Sequence, residues 1–307
     1  MNEQEKNEWL LKRRSVITGT DIASIIGVSK YGSPMTVFLD KLGLSEPLAE
    51  NESMYWGKAL EPVVAARYAL DNKIDLVQGE FIKRDEIFGG TPDYLSPTHL
   101  VEIKTAGQYS AKFWGEVGSD QIPENFLCQV QWYLMLTDRE VADVVVLIGG
   151  QDYRVYRVIR NQALISLLKD SAVSFWEKHI VPQTPPDIDA TQGSKDYLKV
   201  FFPKSRGELL NATKASCDLV ERLIATREQI EALDAEKTLL ENRIKLLIGD
   251  NDGIIGENFR ITWRSSKNAT KVDWEAIART LDVPDETKIA YTKTSQGSRR
   301  FLIDYNN

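Results

Sequence analysis

The sequence predicts an α/β or α+β fold in which helices flank a mixed central sheet, and three observations predict it. Segments with helical apolar spacing alternate with strand-like segments up to residue 180, the order expected of a layered sheet. Residues 142–148 are almost continuously apolar, as in a central strand buried on both faces. Residues 152–159 alternate polar and apolar side chains, which is typical of a neighbouring antiparallel strand.

The elements of this region follow in the order helices, strands, helix, strands, helix. Thr20 is a candidate N-cap for the second helix, and Ser33-Pro34 opens the third, because serine caps well and proline suits the first turn. The predicted helices cover residues 6–14, 21–26, 33–41, 54–70, 123–136 and 163–180. The predicted strands cover residues 74–84, 87–92, 100–105, 142–148 and 152–159.

A proline-rich stretch, residues 181–189, separates this region from a different kind of sequence. We therefore predict a domain over residues 1–203 and a C-terminal region over residues 204–307. Residues 209–248 are helical in pattern, with apolar side chains near heptad a and d positions that Thr226 and Lys237 interrupt. This segment is expected to form a helical hairpin or a coiled coil, followed by a small α+β extension.

Composition excludes several classes of protein. The 307 residues carry a net charge of −7, which argues against a binder held to nucleic acid by charge alone. Two cysteines, Cys128 and Cys217, are too few for a four-cysteine zinc site, a four-cysteine iron–sulfur cluster or a disulfide framework. The polar start and the lack of a long apolar run indicate a cytosolic protein.

The chemistry concentrates in residues 89–106, where Asp93 precedes a strand that carries Glu102 and Lys104. A strand repeats every two residues, so Glu102 and Lys104 share a face about 6–7 Å apart. If the strand ending at Gly90 pairs with this one as a hairpin, Asp93 lies beside Glu102. Two carboxylates suit Mg²⁺ or Mn²⁺, and the ammonium group can orient a water molecule or stabilise developing negative charge.

A lone Glu-x-Lys pattern is usually a surface charge pair, so the flanking residues decide its meaning. Glu61 lies on a predicted helix, and Gln129 and Tyr133 share a face of another. Near the N-terminus, Arg13, Arg14 and Thr20 are compatible with a phosphate site at a helix start. Each of these has an ordinary structural explanation when it is considered alone.

Taken in order, these residues resemble the PD-(D/E)xK nucleases, and within them the phage λ exonuclease and YqaJ-like recombinase group. The matching segments are Pro92-Asp93, Glu102-Ile103-Lys104, the QVQWY helix, WGKALEP and RRSVITGTD, over roughly residues 8–180. The resemblance implies a restriction-endonuclease-like fold. It does not cover the residues from about 205 onward.

The resemblance also implies roles for these residues. Asp93, Glu102 and the Ile103 carbonyl would bind the metal, with Glu61 as a further or supporting carboxylate. Lys104 would position the attacking water, and Gln129 would hold the site strand or the DNA backbone. The residues expected to contact the 5′-phosphate or the backbone are Arg13 or Arg14, Thr20 and Tyr133.

The function that follows is a Mg²⁺-dependent 5′→3′ exonuclease on double-stranded DNA ends, for which Mn²⁺ is an alternative ion. It would leave a 3′ single strand for an annealing protein in phage-type recombination, in the cytoplasm of a bacterial host. The family further implies a homo-oligomer, a trimeric ring around DNA. The alternatives are an endonuclease or structure-specific nuclease of the same fold, and a non-enzymatic interaction protein that uses residues 209–248.

Overall fold

The computed structural model describes residues 3–45, 50–281, 283–294, 299 and 301. The chain divides into two compact units, Met1–Pro203 and Lys204–Asn307. Within the described residues, no helix combines the length and the apolar character that crossing a membrane requires.

Four helices open the first unit: α1 (Glu3–Arg14), α2 (Gly19–Ile25), α3 (Pro34–Lys41) and α4 (Glu52–Asn72). Ser33 caps α3 as predicted, with its hydroxyl accepting a hydrogen bond from the Thr36 N–H. The predicted cap of α2 was wrong by two residues, because Thr18 rather than Thr20 is the N-cap. Thr18 and Asp21 form a reciprocal capping box there, which satisfies N–H groups that the first turn leaves free.

Short strands come next: β1 (Val77–Gln78), β2 (Ile82–Arg84), β3 (Phe88–Gly90), β4 (Tyr94–Leu95) and β5 (Leu100–Ala106). After helix α5 (Glu124–Thr137) follow the longer strands β6 (Val141–Ile148) and β7 (Asp152–Ile159), then helix α6 (Gln162–Phe175) and a π-helical turn, Trp176–Ile180. The central sheet has the order β1-β4-β5-β6-β7, in which only β5 and β6 are parallel. The predicted mixed sheet flanked by helices is confirmed.

The hairpin partner of β5 differs from the prediction. The strand ending at Gly90 pairs with β2 in a separate two-stranded ribbon, whereas β5 pairs with the two-residue strand β4. The long strand predicted over residues 74–84 is accordingly broken into β1 and β2, which belong to different sheets. Asp93 still reaches Glu102, but through the β4–β5 turn.

The core lies on both faces of the sheet. Val144 and Val146 of β6 face the cluster built with α2, α3, α5 and α6, and Val145 faces a smaller cluster under α4. This two-sided burial explains the continuous apolar run of β6. On α4 the sequence predicts Leu60, Val63, Val64 and Tyr68 as the buried face; Val64 and Tyr68 are buried together with Ala65, whereas Val63 is 62% exposed.

Helix α7 (Gln192–Phe201) closes the first unit against α3, with the Phe38 and Tyr197 rings in a tilted contact. Residues 197–201 of this helix lie in a segment, 197–202, for which the sequence predicts only a short connection. The second unit contains α8 (Lys214–Ile248), β8 (Gly253–Ile255), β9 (Arg260–Thr262), α9 (Trp274–Thr280) and α10 (Asp285–Tyr291). Because α8 is one uninterrupted helix of 35 residues, residues 214–248 do not form a helical hairpin.

Candidate active site

The β4–β5 turn brings Asp93 to the middle of β5. Tyr94 pairs with Val101 in the antiparallel register, so the residue before Tyr94 lies opposite Glu102. The Asp93 carboxylate accepts a hydrogen bond from the Ile103 N–H, with 2.8 Å between Oδ2 and N. A main-chain donor on the central sheet therefore positions this carboxylate.

Glu102 and Lys104 project from the same face of β5, as their spacing predicts. The alternate residues of the strand, Val101 and Ile103, point to the other face, into the cluster under α4. The Lys104 Nζ lies 2.6 Å from Glu102 Oε1 and 5.3 Å from the centre of the Phe126 ring on α5. The pair is thus held between β5 and α5, with Glu102 fully buried.

Burial dominates the electrostatics of Glu102. Loss of solvation raises the pKa of its carboxyl to about 8, the charge of Asp93 adds to the increase, and Lys104 opposes it. Burial also opposes the charged form of Lys104, but Glu102 and Asp93 outweigh it and raise the pKa of the lysine. Glu102 Oε2 is buried and has no hydrogen-bond partner, so the site has a free acceptor oxygen away from bulk water.

Glu61 approaches the same group from α4. Its carboxyl is half-buried, and its pKa is raised first by desolvation and next by Asp93, while Lys104 lowers it. The pKa of the Tyr94 hydroxyl is likewise raised by burial and by Glu61 and Asp93. These mutual effects place α4 and the β4–β5 turn around one acidic centre.

Gln129 and Tyr133 lie behind this centre on α5. Both are buried, and Gln129 Nε2 donates to the Tyr133 hydroxyl at 3.3 Å. Burial, followed by the charge of Glu102, raises the pKa of Tyr133. Helix α2 packs closely here, since a Cβ on Gly19 would lie 3.0 Å from Gln129 Cγ. Tyr133 is therefore part of the support of the site, and its contact with the 5′-phosphate or DNA backbone stays a prediction.

The N-terminal residues form a second polar group beside α2. Arg13 contacts Thr20 Oγ1 at 3.3 Å and Asp21 Oδ1 at 3.4 Å. Lys41 is fully buried in its side chain and pairs with Asp21 at 2.6 Å. Burial raises the pKa of Asp21, but Lys41 and Arg13 outweigh that effect and lower it overall.

Arg13, rather than Arg14, is the arginine next to Thr20. The Arg14 side chain lies near Gly43 and 4.0 Å from Asp40, a carboxylate that Arg13 also approaches at 3.9 Å. The charge of Arg13 also lowers the pKa of Tyr133, which indicates that Arg13 acts electrostatically on the support of the acidic centre. Lys41 was not singled out in the sequence, because nothing local links it to Asp21 twenty positions earlier.

The donor set fits a hard divalent cation. Among the described residues, no three His, Cys, Asp or Glu side chains stand together as a metal-binding group. Glu102 Oε1 is bound to Lys104 and Asp93 Oδ2 to a backbone N–H. The unpartnered Glu102 Oε2 and the repulsion among Glu61, Asp93 and Glu102 are nevertheless features that a cation would satisfy. All the available donors are oxygens, which Mg²⁺ and Mn²⁺ prefer.

Asp93, Glu102 and Lys104, the residues on which the resemblance to the PD-(D/E)xK nucleases rests, lie together beside the central sheet. Residues 8–140 match the family model of the YqaJ-like viral recombinase domain. This match includes Arg13, Glu61 and all residues of the acidic centre.

Several known proteins are similar to this chain. The uncharacterized protein YqaJ of Bacillus subtilis is 28% identical over 280 residues, which cover 86% of this chain and 84% of the relative. An alkaline exonuclease from Laribacter hongkongensis is 22% identical, and the match covers 57% of this chain and 93% of that protein, with a TM-score of 0.48. A putative exonuclease from Eubacterium rectale is 9% identical, and the match covers 71% of this chain and 98% of that protein, with a TM-score of 0.49.

Proposed function

We propose that this protein is a metal-dependent DNA nuclease that digests double-stranded DNA from its ends in the 5′→3′ direction and leaves 3′ single strands. The observation that carries the proposal is the acidic centre itself. Asp93, Glu102 and Lys104 lie on one sheet, Glu61 faces them, and Glu102 Oε2 is buried without a partner. Structural ion pairs seldom leave a buried acceptor unsatisfied.

In the proposed mechanism Asp93, Glu102 and the Ile103 carbonyl would hold the metal, with Glu61 as a further or supporting carboxylate. A bound Mg²⁺ would supply Lewis-acid stabilisation of the phosphate and its leaving oxygen. Lys104 orients the attacking water and stabilises the negative charge that develops on phosphorus oxygens. Its position on Glu102 keeps the ammonium charged and directed toward the site.

End recognition is assigned to Arg13 and Thr20. Their contact at 3.3 Å puts a guanidinium and a hydroxyl together near the first turn of α2. Both groups can donate hydrogen bonds to a terminal phosphate. Gln129 and Tyr133 would form the support between this group and the acidic centre.

The partners follow from the same proposal. The 3′ strand would pass to a single-strand annealing protein, in the cytoplasm of a bacterium that carries a phage or prophage. By family resemblance, the nuclease would assemble as a trimeric ring, so that the DNA stays enclosed between cleavage steps.

Digestion of a linear duplex, labelled on one strand and prepared with and without 5′-phosphates, tests the proposal. We expect Mg²⁺-dependent loss of the 5′-ended strand, faster with the phosphate, and no cutting of covalently closed circles. Cutting of circles would instead indicate an endonuclease. The absence of metal-dependent DNA loss on any substrate would contradict nuclease activity and leave the interaction protein as the remaining alternative.

A further inference from the structure

Helix α8 has a long apolar face, most of which is exposed in the part of the chain that the structure describes. It contains 35 residues, of which Ile248 alone is buried. Isolated helices are marginal in water, and most helices gain their stability by packing an apolar face. A helix of this length and composition therefore requires a surface to pack against.

This face of α8 is a stripe of side chains whose positions are alternately four and three residues apart. It consists of Leu219, Leu223, Thr226, Ile230, Leu233, Lys237, Leu240, Ile244 and Leu247, which we call the α8 stripe. Its five most exposed apolar members show between 50% and 77% of their surface to solvent. This spacing is that of a coiled-coil seam.

The two polar members of the stripe select the occupant and its direction. They are symmetric about the middle of the helix, so an antiparallel second copy centred between Glu231 and Ala232 sets Thr226 opposite Lys237. The same alignment sets an apolar side chain opposite another at three further levels, Leu219 with Ile244, Leu223 with Leu240, and Ile230 with Leu233, and it sets Leu247 opposite Ser216.

A parallel pair is disfavoured by charge. It would set Lys237 against Lys237 in the seam, where like charges repel in a poorly solvated place. In the antiparallel pair the lysine faces a threonine, and its ammonium is already bound to Asp234 of its own helix at 2.7 Å. In this register Arg227 of one copy also flanks Asp234 of the other, and the two charges attract. This attraction partly compensates for the repulsion between Arg222 of one copy and Arg243 of the other, nearer the helix ends.

We propose that the α8 stripe is a self-association surface, and that its occupant is the α8 stripe of a second copy of this chain in the antiparallel register with Thr226 opposite Lys237. The contact has two-fold symmetry, so it is distinct from any three-fold ring of the first unit. It does not depend on nuclease activity. Whatever the first unit forms, the complete chain should assemble in even numbers.

The first test is the mass of the full-length chain by light scattering. We expect the variant Ile230→Glu/Leu233→Glu to have half the mass of the wild type, because two charges enter the seam. The matched control, Ala235→Glu/Asn242→Glu, adds the same charge on the opposite, exposed face and should keep the wild-type mass. Equal masses of the seam variant and the wild type would overturn the proposal.

The second test concerns direction and uses Thr226→Glu. In the antiparallel register the new carboxylate faces Lys237, so the dissociation constant should fall severalfold, whereas in a parallel pair two carboxylates would meet and it should rise. Disulfide formation gives an independent readout, in a Cys217→Ser background. Chains with Thr226→Cys should crosslink when mixed with Lys237→Cys chains and not on their own, and crosslinking of Thr226→Cys chains alone would exclude the antiparallel arrangement.

Discussion

Asp93 and Ile103 are joined by a hydrogen bond from the Ile103 N–H to the Asp93 carboxylate, 2.8 Å from N to Oδ2. The bond fixes the carboxylate against β5, the strand that carries Glu102 and Lys104. A side chain held by a main-chain donor on a central strand has little rotational freedom left to lose. The acidic centre is therefore largely organised before substrate binds, which is what efficient charge stabilisation requires.

Replacement of Lys104 should separate catalysis from binding. Lys104→Ala removes the ammonium that orients water and stabilises charge, so digestion of a linear duplex should fall at least about a hundredfold. Binding of DNA ends should survive, as measured by fluorescence anisotropy with a chelator present. Lys83→Ala, an exposed lysine on β2, is the control and should digest normally. Near-normal digestion by Lys104→Ala would contradict the mechanism.

Glu102 should make the metal-free protein less stable as the pH rises. The pKa of its carboxyl is about 8 in the folded protein, against an ordinary 4.5, so the unfolded chain loses this proton first. The free energy of unfolding should then decrease between about pH 5 and pH 8. In Glu102→Gln this contribution should disappear, as followed by thermal unfolding with a chelator.

Glu140 offers a control for this experiment, because its carboxylate is exposed. Its replacement by glutamine removes one negative charge, as in Glu102→Gln, but from the surface. Glu140→Gln should keep the wild-type pH dependence. Addition of Mg²⁺ should raise the melting temperature of the wild type more at pH 8 than at pH 5, since the metal takes the place of the proton. Identical pH profiles for wild type and Glu102→Gln would refute the prediction.

Asp143 in β6 should be the costliest carboxylate to leave unpaired. It is buried, and it accepts hydrogen bonds from both Arg157 nitrogens at 2.8 Å and from the Tyr68 hydroxyl. Arg157→Ala removes the counter-charge and should lower the free energy of unfolding by about 2–3 kcal/mol. Arg154→Ala breaks a pair with the more exposed Asp152 and should cost less than about 1 kcal/mol. Urea titrations of both variants would show the difference, and equal losses would argue against it.

The two adjacent arginines should differ in end recognition. Both lie near Asp40, but Arg13 contacts Thr20, whereas the Arg14 guanidinium lies near Gly43. Arg13→Ala should therefore reduce the preference for 5′-phosphorylated over unphosphorylated ends about tenfold, the value of one charge-assisted hydrogen bond. Arg14→Ala should keep that preference. Initial digestion rates on the two kinds of duplex provide the measurement, and an unchanged preference in Arg13→Ala would remove Arg13 from this role.

Local spacing predicted much of the fold and part of the site. The apolar run of β6, the cap of α3 and the shared face of Glu102 and Lys104 all depend on residues a few positions apart. Backbone geometry alone relates such neighbours, so the pattern is legible in the chain. The same reasoning does not reach Lys41, whose burial depends on an ion pair with a residue on another helix.

The sequence by itself determined the chemical character of the site, two carboxylates and a lysine at strand spacing, with Glu61 and Gln129 on flanking helices. Only the tertiary structure decided that β4 rather than β3 pairs with β5, that Arg13 rather than Arg14 meets Thr20, and that Tyr133 is buried. Each of these depends on which distant surfaces pack together. Such choices are settled by burial summed over the whole core, and no short stretch of sequence contains that sum.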